Sequence, residues 1–225
     1  PGRLEKVSNH ANIQCYIDYA HTPDALENSC RTLKEIKDRT NSFSLGRLIT
    51  VIGAGGDRDK GKRREMLNST MKYSDLVIVT SDNPRNEKPV DIIIDMISHL
   101  NPMAPFWVVT DRKKAIETAV EISNSHDVIL IAGKGHEKYQ EINGVKTFFD
   151  DYLEAKHILN QKTINQEMNG KHRQWESASP SSIETTLPVD LLQLNLLFDC
   201  NEKIDDYLKY RSSTSHINED INDIQ

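Results

Sequence analysis

The sequence predicts an α/β fold: a Rossmann-like, mainly parallel sheet with helices on both faces, plus a C-terminal extension. Three observations point to it. Apolar, β-branched runs such as Leu76-Val77-Ile78-Val79 lack polar alternation, the mark of strands buried on both faces. Helical periodicities alternate with those runs at intervals of roughly 30 residues, the length of a strand–helix–strand crossover. Each run ends in a polar turn, and in such sheets ligands sit outside the carboxyl ends of the strands. The polar clusters at His21, 53–64, 81–85, Asp111 and 133–137 are therefore expected along one edge of the sheet.

A first strand over 14–19 leads to Thr22, a good N-cap, and Pro23, a good first helical residue. Ala25, Leu26, Ser29, Leu33 and Ile36 recur near helical spacing, which predicts a helix over 23–37. Residues 40–46 form a polar loop before a second strand at 47–53, then a helix to about Tyr73. After the strand that begins at Leu76, Pro89 opens a helix through Ile92, Ile93, Met96 and Ile97. Residues 106–110 make a strand and Asp111 caps the helix bearing Ala115, Ile116, Ala119, Val120 and Ile122. The strand at 127–132 is followed by a hairpin that turns at Asn143-Gly144, and Asp150 caps a last helix to about Leu159.

At 225 residues the chain holds one large domain, or one domain and a tail. No apolar run approaches the ~20 residues that span a bilayer, so no membrane partner is expected. A net charge of −6 disfavours nucleic acid as the main ligand. Cys15, Cys30 and Cys200 are few, odd in number and far apart. That favours a reducing compartment, here the cytoplasm, over a disulfide framework or zinc site. The start, Pro1-Gly2-Arg3-Leu4-Glu5, has neither an initiator Met nor a signal peptide and reads as cut from a longer chain.

The turn Ser81-Asp82-Asn83-Pro84-Arg85 carries both signs of charge. Asp82 can hold a cation, Asn83 is both donor and acceptor, and Arg85 offers a planar fork to a carboxylate. Pro84 stiffens the turn. The combination suits a zwitterion such as an amino acid; a plain Asn-Pro surface turn is the alternative. In the glycine-rich turn, Gly56, Gly61 and Lys62 match Gly-x4-Gly-Lys, but Arg63 stands where a nucleotide P-loop needs Ser or Thr. A P-loop is rejected and an anion site expected, with Arg58, Lys60, Lys62, Arg63 and Arg64 as its charge and a solvated basic turn as the alternative. In Gly133-Lys134-Gly135-His136-Glu137, Glu137 is placed to hold an ammonium group and Gly133 to bring a carbonyl close to a ligand. A tight turn with Glu137 in solvent competes equally. Gln140 replaces the second His of a zinc-protease helix. Asp18, at a strand end, suits the two hydroxyls of a ribose. His21 reads as a nucleotide neighbour or simply as a helix-start residue.

Four motifs, Asp18-Tyr19-Ala20-His21-Thr22-Pro23-Asp24, Gly55-Gly56-Asp57-Arg58-Asp59-Lys60-Gly61-Lys62-Arg63, Asp82-Asn83-Pro84-Arg85 and Gly133-Lys134-Gly135-His136-Glu137, together resemble the C-terminal domain of the Mur ligases. The branch is the one that adds meso-diaminopimelate, and the resemblance covers residues 1–159. It implies ATP-dependent amide-bond formation in peptidoglycan precursor synthesis. An acyl phosphate forms on a UDP-N-acetylmuramoyl dipeptide, and the amine of meso-diaminopimelate attacks it. Carried over, Arg58, Asp82, Asn83, Pro84, Arg85, Gly133 and Glu137 bind meso-diaminopimelate, while Arg3, Asp18 and His21 lie at ATP. The resemblance places the P-loop and most of the ATP and Mg2+ site in a central domain, so no catalytic or metal-binding residue is expected in this chain. The partners would be the N-terminal and central Mur ligase domains, and the chain alone is expected not to ligate.

Two departures stand out. Asp151 is followed by Tyr152 where the family often carries Asp-Arg, and residues 160–225 have no counterpart. The expected division is a domain at 1–159, a polar linker at 160–186 and a tail at 187–225 with an apolar segment and an acidic end. The rival reading is a catalytically silent Mur ligase-like subunit with a structural or regulatory role, located in a plastid like the relatives linked there to transcription. A lysine-adding relative is a third, opposed by Arg85, which lysine has no distal carboxylate to engage.

Overall fold

The computed structural model describes residues 1–11, 13–40, 46–101 and 103–176. Its sheet runs in the order β1 (Glu5–Lys6), β2 (Gln14–Asp18), β6 (Val128–Ala132), β3 (Leu48–Ala54), β4 (Leu76–Ser81), β5 (Phe106–Val108). All neighbours pair in parallel except the antiparallel edge pair of β1 and β2. The helices are α1 (Pro23–Thr40), α2 (Lys60–Met71), α3 (Pro89–Ile97), α4 (Arg112–Ile122) and α5 (Asp151–Glu176). A separate antiparallel hairpin, β7 (Tyr139–Ile142) and β8 (Val145–Phe148), follows β6.

The central strands are buried throughout, and mostly apolar, because helices cover both sheet faces. Residues of one strand alternate between two cores. Leu48, Ile52, Val77, Val79, Val128 and Leu130 face α1, α2 and α3. Ile49, Val51, Ile78, Ile129 and Ile131 face α4 and α5. A run without polar alternation is thus two interleaved apolar faces, not one. The caps follow the expected chemistry. Thr22 Oγ1 accepts from the Ala25 amide, Asp111 Oδ1 from Lys114 and Asp150 Oδ1 from Tyr152. Asn143 and Gly144 both take positive φ, +50° and +74°, as a two-residue hairpin turn demands.

Two elements depart from expectation. The two-residue β1 carries no periodicity to be read and exists only through its pairing with β2. Helix α5 continues past Leu159 to Glu176, so the first part of the stretch read as a linker is helical; polar composition signals exposure, which a helix end also satisfies. The apolar segment at 187–198 lies outside the described residues.

Chain direction locates the crevice. From β3 the chain passes to α2 on one face; from the adjacent β6 it passes, by way of the hairpin, to α5 on the other. Adjacent strands that leave toward opposite faces open a gap at their carboxyl ends.

Candidate functional site

A cavity of about 380 Å³ fills that gap. Arg58, Asp82, Asn83, Arg85, Gly133, Glu137 and His21 all line it. The expected convergence of distant loops is met for these residues. Pro84 is buried behind the wall and acts through its backbone: a Cβ on Gly56 would stand 1.8 Å from the Pro84 carbonyl oxygen. Only glycine permits the two turns to approach this closely, and the Gly56 amide donates to Asn83 O at 2.9 Å.

The acidic wall is built from the ends of β4 and β6. Lys134 is fully buried and donates to Asp82 Oδ1 at 3.2 Å and Asn83 Oδ1 at 2.9 Å, with Glu137 Oε2 at 3.7 Å. Asn83 Nδ2 donates to Glu137 Oε2 at 2.9 Å. The hairpin closes the back: Glu141 N donates to Asn83 Oδ1, and Gln140 Nε2 to Asp82 O. Gly133, at φ +112°, passes so close to the Asp82 carboxylate that a Cβ would lie 2.8 Å from Oδ2. Beneath, Arg112 makes a fully buried bidentate pair with Asp151 at 2.7 and 2.8 Å and donates to Ser81 O and Ala132 O, the last residues of β4 and β6. Burial opposes the Arg112 charge, but Asp151, then Asp82 and Glu137, outweigh it and hold its pKa above the ordinary value.

The opposite wall is basic. Arg58 reaches the cavity from the β3–α2 turn and Lys62 from the first turn of α2, both exposed. Arg63, the residue that departs from a P-loop, is buried as a tie: it donates to Glu87 at 2.6 and 2.9 Å, to Asp95 at 2.8 Å and to Gly55 O at 3.2 Å. Arg63, its attraction offset in part by desolvation and aided by the Asp57 amide, holds the Glu87 carboxyl down to about 2. At the first turn of α2, Asp59 Oδ1 accepts from the Gly61 amide, so the helix start is partly capped from within. Arg85 bridges the walls. Its Nη1 donates to Gly56 O at 2.8 Å, and its backbone, at φ +53°, is held by Glu141 O and the Asn143 amide.

A second cavity of about 390 Å³ is lined by Arg3, Leu4, Asp18, Tyr19, Ala20, His21 and Ala25. It collects the residues expected at ATP. Arg3 is exposed and Tyr19 lies between His21 and His136 at 4.6 and 5.0 Å. Asp18 is placed differently from the expectation of a carboxylate free for two ribose hydroxyls. Its oxygens accept from the amides of Leu4 and Ala20 and from Ser29 Oγ. A carboxylate takes about four donors, which leaves room for about one hydroxyl. Among the described residues, no group of three or more His, Cys, Asp or Glu side chains is placed to hold a metal ion. No described helix is long and apolar enough to cross a membrane.

Of the site residues, sequence reasoning missed Lys134 and the hairpin residues Gln140 and Glu141. The available signal was a lysine between two glycines directly after a fully apolar strand.

Comparison with known proteins identifies the family of the chain. The family model for the Mur ligase, glutamate ligase domain, matches residues 2–135. The chain is 49% identical over 160 residues to UDP-N-acetylmuramoyl-L-alanyl-D-glutamate--2,6-diaminopimelate ligase of Parabacteroides distasonis, covering 70% of this chain and 32% of that protein. The protein of the same name from Aquifex aeolicus is 46% identical over 159 residues, 71% of this chain and 31% of that one. A solved structure of a ligase of that name superposes with a TM-score of 0.65 at 40% identity, over 72% of this chain and 32% of that chain. The chain therefore spans about a third of the length of these relatives. With the motifs, the sheet and the family model in agreement over most of the described residues, the chain belongs to the Mur ligase family.

Proposed function

We propose that this chain is the amino-acid-binding part of a UDP-N-acetylmuramoyl-L-alanyl-D-glutamate--2,6-diaminopimelate ligase. The observation that carries the reading is one cavity lined by Arg58 and Arg85 together with Asp82 and Glu137. A zwitterion needs both signs of charge within one ligand length, and meso-diaminopimelate has two carboxylates and two ammonium groups. In this reading Arg58 and Arg85 take a carboxylate, Asp82 and Glu137 an ammonium group, and Asn83 completes the set. One end of the amino acid is held while the amine at the other is left to attack the acyl phosphate of the UDP-N-acetylmuramoyl dipeptide.

ATP fits the second cavity in part, with Arg3 as a phosphate cation and the Tyr19–His21 pair beside it. When bound it supplies the phosphoryl group that activates the acid; this chain's contribution is to close over it. Magnesium and the P-loop belong to the rest of the enzyme, so the isolated chain does not ligate. UDP-linked substrates and ATP imply a cytoplasmic site of action.

Calorimetric titration of the 225-residue chain tests the reading. Saturable binding of meso-diaminopimelate is expected, at least tenfold tighter than L-lysine, and Arg85→Ala is expected to cost ~2–5 kcal/mol, as loss of a buried charged partner does. No binding, or equal binding of lysine, would overturn the proposal. Ligation by the isolated chain with ATP would overturn the division of labour.

A further inference from the structure

We infer that Lys134 is a positioning residue that selects the ligand by fixing which end of the Asn83 amide faces the cavity. The inference rests on the amino-acid-binding reading above and goes beyond it. Lys134 is fully buried, while the carboxylates and amide around it line the cavity. A buried ammonium group has three protons to place and no acceptor capacity of its own. Two of them go to Asp82 Oδ1 and Asn83 Oδ1.

The Asn83 side chain then has a single favourable orientation. Its oxygen meets two donors, Lys134 Nζ at 2.9 Å and the Glu141 amide at 3.0 Å. Its nitrogen meets an acceptor, Glu137 Oε2 at 2.9 Å. Turned over, the amide would set its own N–H groups against two donors and its oxygen against a carboxylate. One Nδ2 proton is bonded to Glu137 and the second remains for a ligand. Asn83 therefore offers the cavity a donor and no acceptor. It reads a carboxylate and refuses an ammonium group. The same lysine takes up Asp82 Oδ1 and leaves Oδ2, beside Gly133, for the ligand's ammonium group. One buried cation thus sorts the wall into a donor at Asn83 and an acceptor at Asp82.

The test is the discrimination ratio in the full chain, measured by calorimetric titration with meso-diaminopimelate and L-lysine. Lys134→Met removes one of the two donors that hold the Asn83 oxygen and the cation on Asp82, so the preference for meso-diaminopimelate over lysine falls at least fivefold, and Lys134→Arg restores part of it. A merely structural lysine would weaken both ligands by the same factor and leave the ratio unchanged, which would overturn the inference. Should Lys134→Met not fold, nuclear Overhauser contacts in the wild-type chain decide. The Asn83 Nδ2 protons are expected near the Glu137 side chain and away from the Lys134 ε-methylene; the reverse pattern overturns the inference. Wild-type chain that binds neither ligand speaks against the amino-acid reading itself, whereas normal binding with an unchanged ratio in Lys134→Met speaks only against this role.

Discussion

The two walls of the cavity are built to opposite rules. On the acidic side every functional group is braced: Asp82, Asn83 and Glu137 share Lys134, the hairpin backs them, and Arg112 with Asp151 pins the strand ends beneath. On the basic side the bracing and the binding are separated. Arg63 is 1% exposed and holds the turn, while its neighbours Arg58 and Lys62 stay exposed. The contrast follows from the charges. Carboxylates gathered at one spot repel, so they need a fixed cation among them before any ligand arrives. Long basic side chains can stay solvated and swing onto an anion when it comes. The acidic wall is thus preorganised and the basic wall adaptive.

The largest expected effect comes from removing the brace beneath the acidic wall. Arg112→Met leaves Asp151 charged and buried without a partner, which is expected to cost ~3–5 kcal/mol of stability, read from denaturant unfolding. A loss under 1 kcal/mol would mean that the pair is not what pins β4 to β6. Gly56→Ala forces a methyl group onto Pro84 O and separates the walls. The expected cost is ~1–3 kcal/mol, the usual range for overpacking, together with loss of ligand binding.

Acid sharpens the contrast on the basic side. Glu87 is held at about 2 against an ordinary 4.5, so the folded state binds fewer protons there than the unfolded one. Its contribution is complete above 4.5 and disappears as pH falls toward 2. Thermal midpoints of Glu87→Gln and wild type are expected to differ most above that window and to converge below it. The smallest stability effect belongs to Arg58→Ala, within ~0.5 kcal/mol because the side chain is exposed, yet affinity for meso-diaminopimelate is expected to fall severalfold. Equal effects of Arg58→Ala and Arg112→Met on stability would erase the distinction between adaptive and braced groups.

The same distinction explains what was legible in the sequence. Strand identity came through because two interleaved apolar faces leave no polar gaps, and the site edge because turns after such strands must be polar. Arg58, Arg85 and Glu137 stood out as exposed chemistry in glycine- and proline-rich turns. The braces did not. Arg63 reads as part of an anion site's charge and Lys134 carries no role of its own in the glycine-rich turn, and each is buried only when a turn from a distant strand folds over it. Arg112 and Asp151 lie 39 residues apart, with nothing local to pair them. At Asp151-Tyr152, the residue that keeps the family's pattern, Asp151, pairs with Arg112, while the one that departs from it, Tyr152, packs partly buried against the α4–α5 core. Asp18 was legible as a strand-end carboxylate, but its occupation by Leu4, Ala20 and Ser29 depends on the φ of +44° at Leu4 and on the register of α1, neither written in the local letters.

The central claim is that both walls hold one ligand at once. Titrating meso-diaminopimelate into the isotopically labelled chain, with the arginine Nε–H and Asn83 side-chain signals observed together, tests it most directly. The account predicts that Arg58, Arg85 and Asn83 shift along one saturation curve with a single dissociation constant. Shifts confined to the arginines, or two curves with unrelated constants, would contradict it.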